Sequence, residues 1–428
     1  MVLNMEKGFN VVYNFILVSL TLLNLLFLEN SYESLKYIGI SILIVSFFTL
    51  YKYRKNTNIS LLIGILMLIS ISFATSVCLN TQDTAFNWQI PLINTSNNII
   101  NAKNFLLFIT ILSISMGNIK EKKNITYSKN NNIFIAGACI LLLFIILFCC
   151  FDRSIIGQYV SNSNPLYEYA LIVYLIAWYY SKDIKILKII LIIYAICYCT
   201  QGLLFGDRSS AFPMLLLNFM LIYKRKYNIF KVILIGLIGI FLANIFDIFR
   251  TSGTLSFDVL KEVINRGLFV NTISYSFYAG TQIINYGQTI VNTKVHLIDY
   301  IIAIFLGKSS NLDLASLALN AGFVNKGGGM THAYLYFWNG YIGTLIFSFI
   351  IGKIITKIFN SDKNYAIILR VTITIFSIRW IVYFPIALFR TAIFVPLLCF
   401  TITEYFNDIL NKRQNKYLKV SERSDNNE

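Results

Sequence analysis

Charge is scarce in this chain. Of its 428 residues only 13% are Asp, Glu, Lys or Arg, while 57% are apolar. A soluble domain carries about a quarter charged residues, and the mean hydropathy here is +0.66. Too few charges are present to cover a water-soluble fold of this size, so a soluble enzyme and a disordered chain are excluded. Histidine is scarcer still, with only His296 and His332, which leaves little for a histidine-based metal cluster. The seven cysteines (Cys78, Cys139, Cys149, Cys150, Cys197, Cys199 and Cys399) all fall in apolar runs, where cysteine behaves as a small hydrophobe. None has the loop placement of a disulfide or the spacing of a zinc site. No small-x-small cleavage pattern follows the first apolar run, 11–28, which reads as a retained helix and not a signal peptide. No internal repeat relates the two halves.

What is present is a series of apolar runs. A bilayer crossing needs about 20 mostly apolar residues, within roughly 17–25. Candidates lie near 11–28, 36–51, 59–79, 99–117, 133–151, 166–180, 188–205, 209–223, 228–247, 332–352, 364–384 and 389–407, which predicts an all-α polytopic membrane protein of about 12 transmembrane helices. Alternate connections are basic, around Arg54, Lys122, Lys185, Lys226, Lys357 and the tail from Lys412. With Lys7 they hold 23 of the 36 basic residues and 9 of the 20 acids, so that side carries +14 against +2 opposite. Positive charge in short connections marks orientation and not nucleic-acid binding; it places both termini in the cytoplasm. The predicted organisation is one transmembrane domain over 1–410, then a polar cytoplasmic tail over 411–428.

The run His296–Gly307 is too short to cross unaided, and a crossing there would break the charge alternation. It is expected to be re-entrant or interfacial, inside one large external loop of about 248–331. In that loop Leu260, Val263, Ile264 and Leu268 recur at helical spacing, suggesting a helix on the membrane surface.

Five arginines fall near the external face: Arg208, Arg250, Arg266, Arg379 and Arg390. The guanidinium fork suits phosphate, to which it donates two parallel hydrogen bonds. An arginine inside a span costs roughly 2.5–3.5 kcal/mol, so it usually has a partner or a task. Each has a structural reading beside the functional one. Arg208 pairs with Asp207 and caps a helix, Arg266 makes a surface pair with Glu262, and Arg250 and Arg390 anchor at the interface. Arg370, about 10 Å from the inner end of its span, snorkels or is buried.

A second constellation runs from Lys326 through Gly327-Gly328-Gly329 to His332, Tyr336, Asn339 and Gly343. Three glycines allow a close backbone approach to a ligand, and the following helix would direct free N–H groups outward, an anion site. His332, Tyr336 and Asn339, at i, i+4 and i+7, are expected to share one face. Gly340 and Gly343 would admit a neighbouring helix. A neutral imidazole at the membrane–water boundary can take a proton from a sugar hydroxyl; alternatively the glycines are a hinge and His332 an interfacial polar residue. Among the external acids, Asp207, Asp247, Asp258, Glu262, Asp299 and Asp313, no close pair has the spacing of a glycosidase or a divalent-metal site. Several arginines can neutralise a pyrophosphate leaving group without a metal.

With Gly206–Ser210 around Arg208, and Gly327–Gly343 with His332 and Tyr336, the chain resembles the Wzy-type O-antigen (oligosaccharide repeat unit) polymerases. These are polytopic inner-membrane proteins of about this length with a large periplasmic loop late in the chain. The second stretch is also similar to the His-Asn-x-Tyr-Leu region of the related O-antigen ligases, with Ala333 where those have Asn. The resemblance implies a GT-C-like, metal-independent glycosyltransferase without a cofactor, in the bacterial inner membrane, its active site facing the periplasm. It would transfer a growing glycan from undecaprenyl pyrophosphate to the next lipid-linked repeat unit in surface-polysaccharide biosynthesis. His332 would be the base, or would orient the acceptor hydroxyl. Arg208, Arg250 and Arg266 would take the donor pyrophosphate, Arg208 and Arg266 standing with His332 as catalytic residues. Arg379 and Arg390 would hold the second lipid-linked phosphate, with Tyr336, Asn339, Lys326 and Gly328 as further substrate contacts. Membrane lipid, a flippase and a chain-length regulator are the partners implied. Three rivals stand beside this reading, of which a generic secondary transporter is disfavoured because paired intramembrane carboxylates are absent. An O-antigen ligase shares the chemistry, and a Wzx-type flippase shares length and basic charge but predicts short connections on both sides.

Overall fold

Long apolar runs have only one way to satisfy their backbone groups away from water without a partner strand, which is to coil into helices. The computed structural model describes residues 2–29, 31, 33–54, 56–79, 96–120, 132–151, 165–181, 184–205, 208–223, 229–252, 261, 264, 272–289, 293–307, 314 and 328–425. Among these the elements are helical throughout. They are α1 Val2–Leu26, α2 Ser34–Tyr53, α3 Thr57–Phe73 with a π turn Ala74–Leu79, α4 Ser96–Ser115, α5 Ile133–Cys149, α6 Pro165–Ser181 and α7 Lys185–Leu204. There follow α8 Arg208–Ile222, α9 Ile229–Ser252, α10 Thr272–Thr289, α11 Thr293–Leu306, α12 Thr331–Asn360 and α13 Asn364–Ile375. Two π-helical segments, Arg379–Tyr383 and Ala387–Phe394, lead into α14 Val395–Asp425.

Six helices among the described residues are long and apolar enough to cross a membrane: Ser34–Tyr53, Ile59–Leu79, Ser96–Ser115, Lys185–Leu204, Thr331–Asn360 and Ala387–Lys412. The distribution of polarity agrees with a helical membrane protein. In each unit large apolar side chains are exposed, such as Phe15, Phe27 and Leu306 in one and Phe148 and Ile196 in the other, as befits helices that face lipid. Hydroxyls and amides point inward. Small polar residues let helices approach and bond across their interfaces in a lipid environment.

The chain divides into two compact units. The first comprises Met1–Lys122, Arg225–Ser361 and Phe376–Arg390; the second comprises Lys123–Lys224, Asp362–Ile375 and Thr391–Glu428. In the first, a polar seam joins α1, α2 and α4. Asn24 Nδ2 donates to Ser41 Oγ at 2.9 Å, Thr21 and Thr110 share a 2.8 Å hydroxyl contact, and Thr49 and Ser113 another. Lys52 closes the far end of α4 by donating to the Met116 carbonyl at 3.1 Å, beside Tyr53, whose hydroxyl reaches the same carbonyl. Along α12, Gly352 lies so near α4 that an added Cβ would stand 3.0 Å from the Leu112 carbonyl. In the second unit, Tyr167 and Tyr198 stack at 4.2 Å and each hydroxyl donates to the other's carbonyl. Tyr174 reaches Asn218 at 2.6 Å and Tyr180 reaches Glu404 at 2.6 Å. Arg370, for which two positions were open, is buried there, with Nε donating to the Ala366 carbonyl at 3.1 Å.

Three expectations change. α9 runs past residue 247 to Ser252, so the last turn of this helix takes up the start of the expected loop. Within that loop α10 is a core helix, with Phe277, Ala279 and Ile283 buried. Its sequence, rich in Thr, Asn, Gln and Gly, hides this from an apolar count. The run 364–384 is not one straight helix: α13 gives way to the π-helical Arg379–Tyr383, and Phe384 is extended at φ −166° and ψ 149°. α11 covers the short run 296–307 as a 14-residue helix with only Tyr300 and Ala303 buried. The amphipathic stretch around Leu260–Leu268 lies mostly outside the described residues.

Candidate functional site

The glycine-rich stretch enters the structure at Gly328, with φ +31°, and leads through Gly329 to Met330 without regular secondary structure. Met330 is the only non-glycine among the described residues with positive φ, at 55°, a conformation that persists where surrounding contacts over-determine it. Those contacts come from the π-helical segment. The Gly329 N–H donates to the Tyr383 carbonyl and the Met330 N–H to the Val382 carbonyl, both at 2.9 Å. The Thr331 hydroxyl donates to the Trp380 carbonyl. A Cβ at Gly328 would run into the Tyr383 backbone, and one at Gly280 of α10 would stand 2.8 Å from the Gly329 carbonyl. At Gly328 and Gly329 the close approach is therefore of the chain to itself, where the sequence suggested an approach to a ligand; Gly327 lies outside the described residues.

This clamp delivers His332 into the interior of the first unit, 1% exposed. Phe105, Phe108 and Phe73 surround its ring at centroid distances of 5.0, 6.3 and 6.5 Å. Two asparagines of α4 hold it. Asn104 Nδ2 donates to the His332 carbonyl at 2.7 Å, and Asn101 Oδ1 lies 2.8 Å from Nε2. Nδ1 is buried and has no hydrogen-bond partner among the described residues; nor has Asn104 Oδ1. An unmade hydrogen bond at a buried group costs about 1–3 kcal/mol, so the arrangement favours any donor that reaches Nδ1.

The shared face predicted for His332, Tyr336 and Asn339 does not form. α12 breaks at Asn339 (φ −158°, ψ 36°) and Gly340 (φ 60°, ψ −150°). His332 is buried, Tyr336 half-buried against Tyr341 at 5.1 Å, and Asn339 exposed. Gly340, expected to admit a neighbouring helix, has open space where its Cβ would be and supplies the positive φ of the kink; Gly343 meets the Leu335 carbonyl across it.

Of the arginines, Arg379 opens the π-helical segment that clamps Gly329 and Met330, and is half-buried. Arg390, also half-buried, has its guanidinium where a side chain at Gly307 would stand. It therefore lies beside the carboxyl end of α11, whose dipole favours a cation. Gly328, His332, Arg379 and Arg390 thus belong to one unit. Arg208 begins α8 in the second unit and Arg250 lies in the last turn of α9; their side chains are outside the described residues, as are Arg266 and Lys326 entirely.

Asn101 and Asn104 escaped the sequence reading. Their signal is the spacing of Asn97, Asn101 and Asn104, which places three amides on one face at the start of the span. Asn97 continues the row, donating to Asn285 of α10 and accepting from Gln288 Nε2 at 3.2 Å. No known family, curated protein or solved structure matches this chain.

Proposed function

We propose that the protein is a membrane glycosyltransferase that polymerises lipid-linked oligosaccharide repeat units, in the manner of the Wzy-type enzymes it resembles. In this reading about 12 spans cross the bacterial inner membrane, both termini are cytoplasmic, and the reaction takes place on the periplasmic side. The observation that carries it is the His332 imidazole, held by a second helix in an apolar cage with one ring nitrogen unpartnered among the described residues. An apolar surrounding strengthens every charge interaction formed during reaction.

In the transfer, the acceptor sugar hydroxyl attacks the anomeric carbon of the donor glycan. Its proton passes to His332. The bond between that carbon and the pyrophosphate oxygen breaks with its electron pair, leaving undecaprenyl pyrophosphate. The resemblance assigns Arg208, Arg250 and Arg266 to the donor pyrophosphate, and Arg379 and Arg390 to the second lipid-linked phosphate. It gives Tyr336, Asn339, Lys326 and Gly328 as further substrate contacts. A flippase would supply the substrate and a chain-length regulator would limit the product.

The test is complementation of a strain lacking this gene, read as polymer banding. Wild type restores a ladder, while His332→Ala and Arg208→Ala, expressed at normal levels, give single-unit product. Full ladders from both variants would return those residues to structural roles. Loss of even the single-repeat product from the surface of the deletion strain would point instead to export or ligation.

A further inference from the structure

The hydrogen-bond chain through α4 fixes more than the position of His332. Thr281 Oγ1 donates to the Phe277 carbonyl at 3.3 Å, which commits its proton and leaves the oxygen to accept. Asn101 Nδ2 fills both acceptors, at 3.1 Å to Thr281 Oγ1 and 2.9 Å to the Phe277 carbonyl. The amide is thereby oriented, and the atom facing the imidazole is Oδ1, which only accepts. At 2.8 Å the proton between them belongs to Nε2. Nδ1 then carries the lone pair, and it is the ring nitrogen with no partner among the described residues.

We propose that Asn101 is the positioning residue that holds His332 as its Nε2–H tautomer, so that Nδ1 is the nitrogen that receives the proton of the acceptor hydroxyl. The proposal rests on the reading of His332 as the base. When the hydroxyl oxygen bonds to the anomeric carbon, its proton moves to Nδ1 and the pyrophosphate departs with the electron pair. The imidazolium so formed keeps its Nε2–H on Asn101 Oδ1, an amide dipole already aimed at the new charge. The proton leaves to water as products exchange. The second-helix amide thus does for the ring what a partner on the other nitrogen does for many working histidines: it selects the tautomer.

The chain has only two histidines, which makes the tautomer directly readable. In full-length protein in nanodiscs with 15N-labelled histidine, His296→Ala assigns the two rings. The expected result is Nε2 protonated and Nδ1 bare at His332 in the wild type, and mixed tautomers in Asn101→Ala. Glycan transfer per folded molecule should fall about ten-fold or more in Asn101→Ala, part of the 10²–10⁴-fold that general acid–base catalysis typically contributes. Asn101→Asp, which keeps an acceptor facing Nε2, restores the single tautomer and recovers activity relative to Asn101→Ala. A proton on Nδ1 in the wild type overturns the proposal without reference to activity. So does an Asn101→Ala protein with mixed tautomers and an unchanged rate. If the tautomers are as expected but His332→Ala transfers glycan at the full rate, the reading of His332 as the base is what fails.

Discussion

At Gly328 the backbone turns through φ +31° with the Tyr383 main chain against the place of a Cβ. Both conditions exclude a side chain, and neither neighbour is a flexible tip that can swing away. Gly328→Ala is therefore expected to cost about 3 kcal/mol, combining overpacking with an unfavourable φ. Gly340→Ala tests the contrast. Its φ of +60° with ψ −150° lies in a region nearly reserved for glycine, but nothing lies within 4 Å of the added carbon, so only that backbone cost, about 1–3 kcal/mol, is expected, without the overpacking that Gly328 adds. Thermal unfolding of the two variants in one detergent checks the order; equal losses would mean that the Gly328 approach is looser than described. The glycines themselves were visible in the sequence, and so was His332. What the sequence concealed was the partner of each, because Tyr383 and Asn101 are distant in the chain and only the fold brings them close.

Between helices, many small contacts compete with a few close approaches, and magnitudes decide which dominates. Hydrogen bonds between helices in a membrane average about 0.6 kcal/mol, with a maximum near 1.7. Thr110→Val, which cuts the hydroxyl contact to Thr21, should therefore lower stability by less than about 1 kcal/mol. Gly352→Leu should do far more. Its side chain would enter the space of Ser115 and the Leu112 carbonyl, forcing α4 and α12 apart along the pair that carries Asn101, Asn104 and His332. Steric-trapping measurements on the two variants would rank them, and a larger loss for Thr110→Val would mean the seam, not the close approach, holds α4. Helix identity was legible wherever apolar residues ran on, as in α2, α4 and α7. It was not legible in α10, where Thr, Asn, Gln and Gly stand at positions that face other helices, and a count of apolar residues cannot tell an inward amide from a loop.

Over the whole molecule, outward apolar faces and inward hydroxyls define a helical membrane protein, and the proposed topology adds a direction. Cys149 and Cys197 are exposed on α5 and α7, on faces built of Phe148, Ile189, Ile193 and Ile196. If lipid covers those faces, a membrane-impermeant maleimide leaves both thiols unmodified in intact membranes and labels them after denaturation in SDS. On the proposed orientation, a cysteine introduced at Arg54 is labelled only in inside-out vesicles, and one introduced at Asn292 only from the periplasm. Reversal of those two results would remove the periplasmic site while leaving the fold intact. Charge alternation made this orientation readable from sequence; the division of the chain into two units left no mark on composition, because both are built of the same apolar helices.

That division has a bearing on how the protein is made. The first unit is completed by Phe376–Arg390, a stretch that leaves the ribosome after nearly nine-tenths of the chain. Until it arrives, the N–H groups of Gly329 and Met330 lack the Tyr383 and Val382 carbonyls that accept them, and nothing holds Met330 at its unfavourable φ. A nascent chain halted before residue 376 would carry His332 and both α4 asparagines, yet would lack the clasp that sets the histidine in place. The buried His332 is thus set in place among the last events of synthesis, and on the proposed function prematurely terminated chains would reach the bilayer inactive.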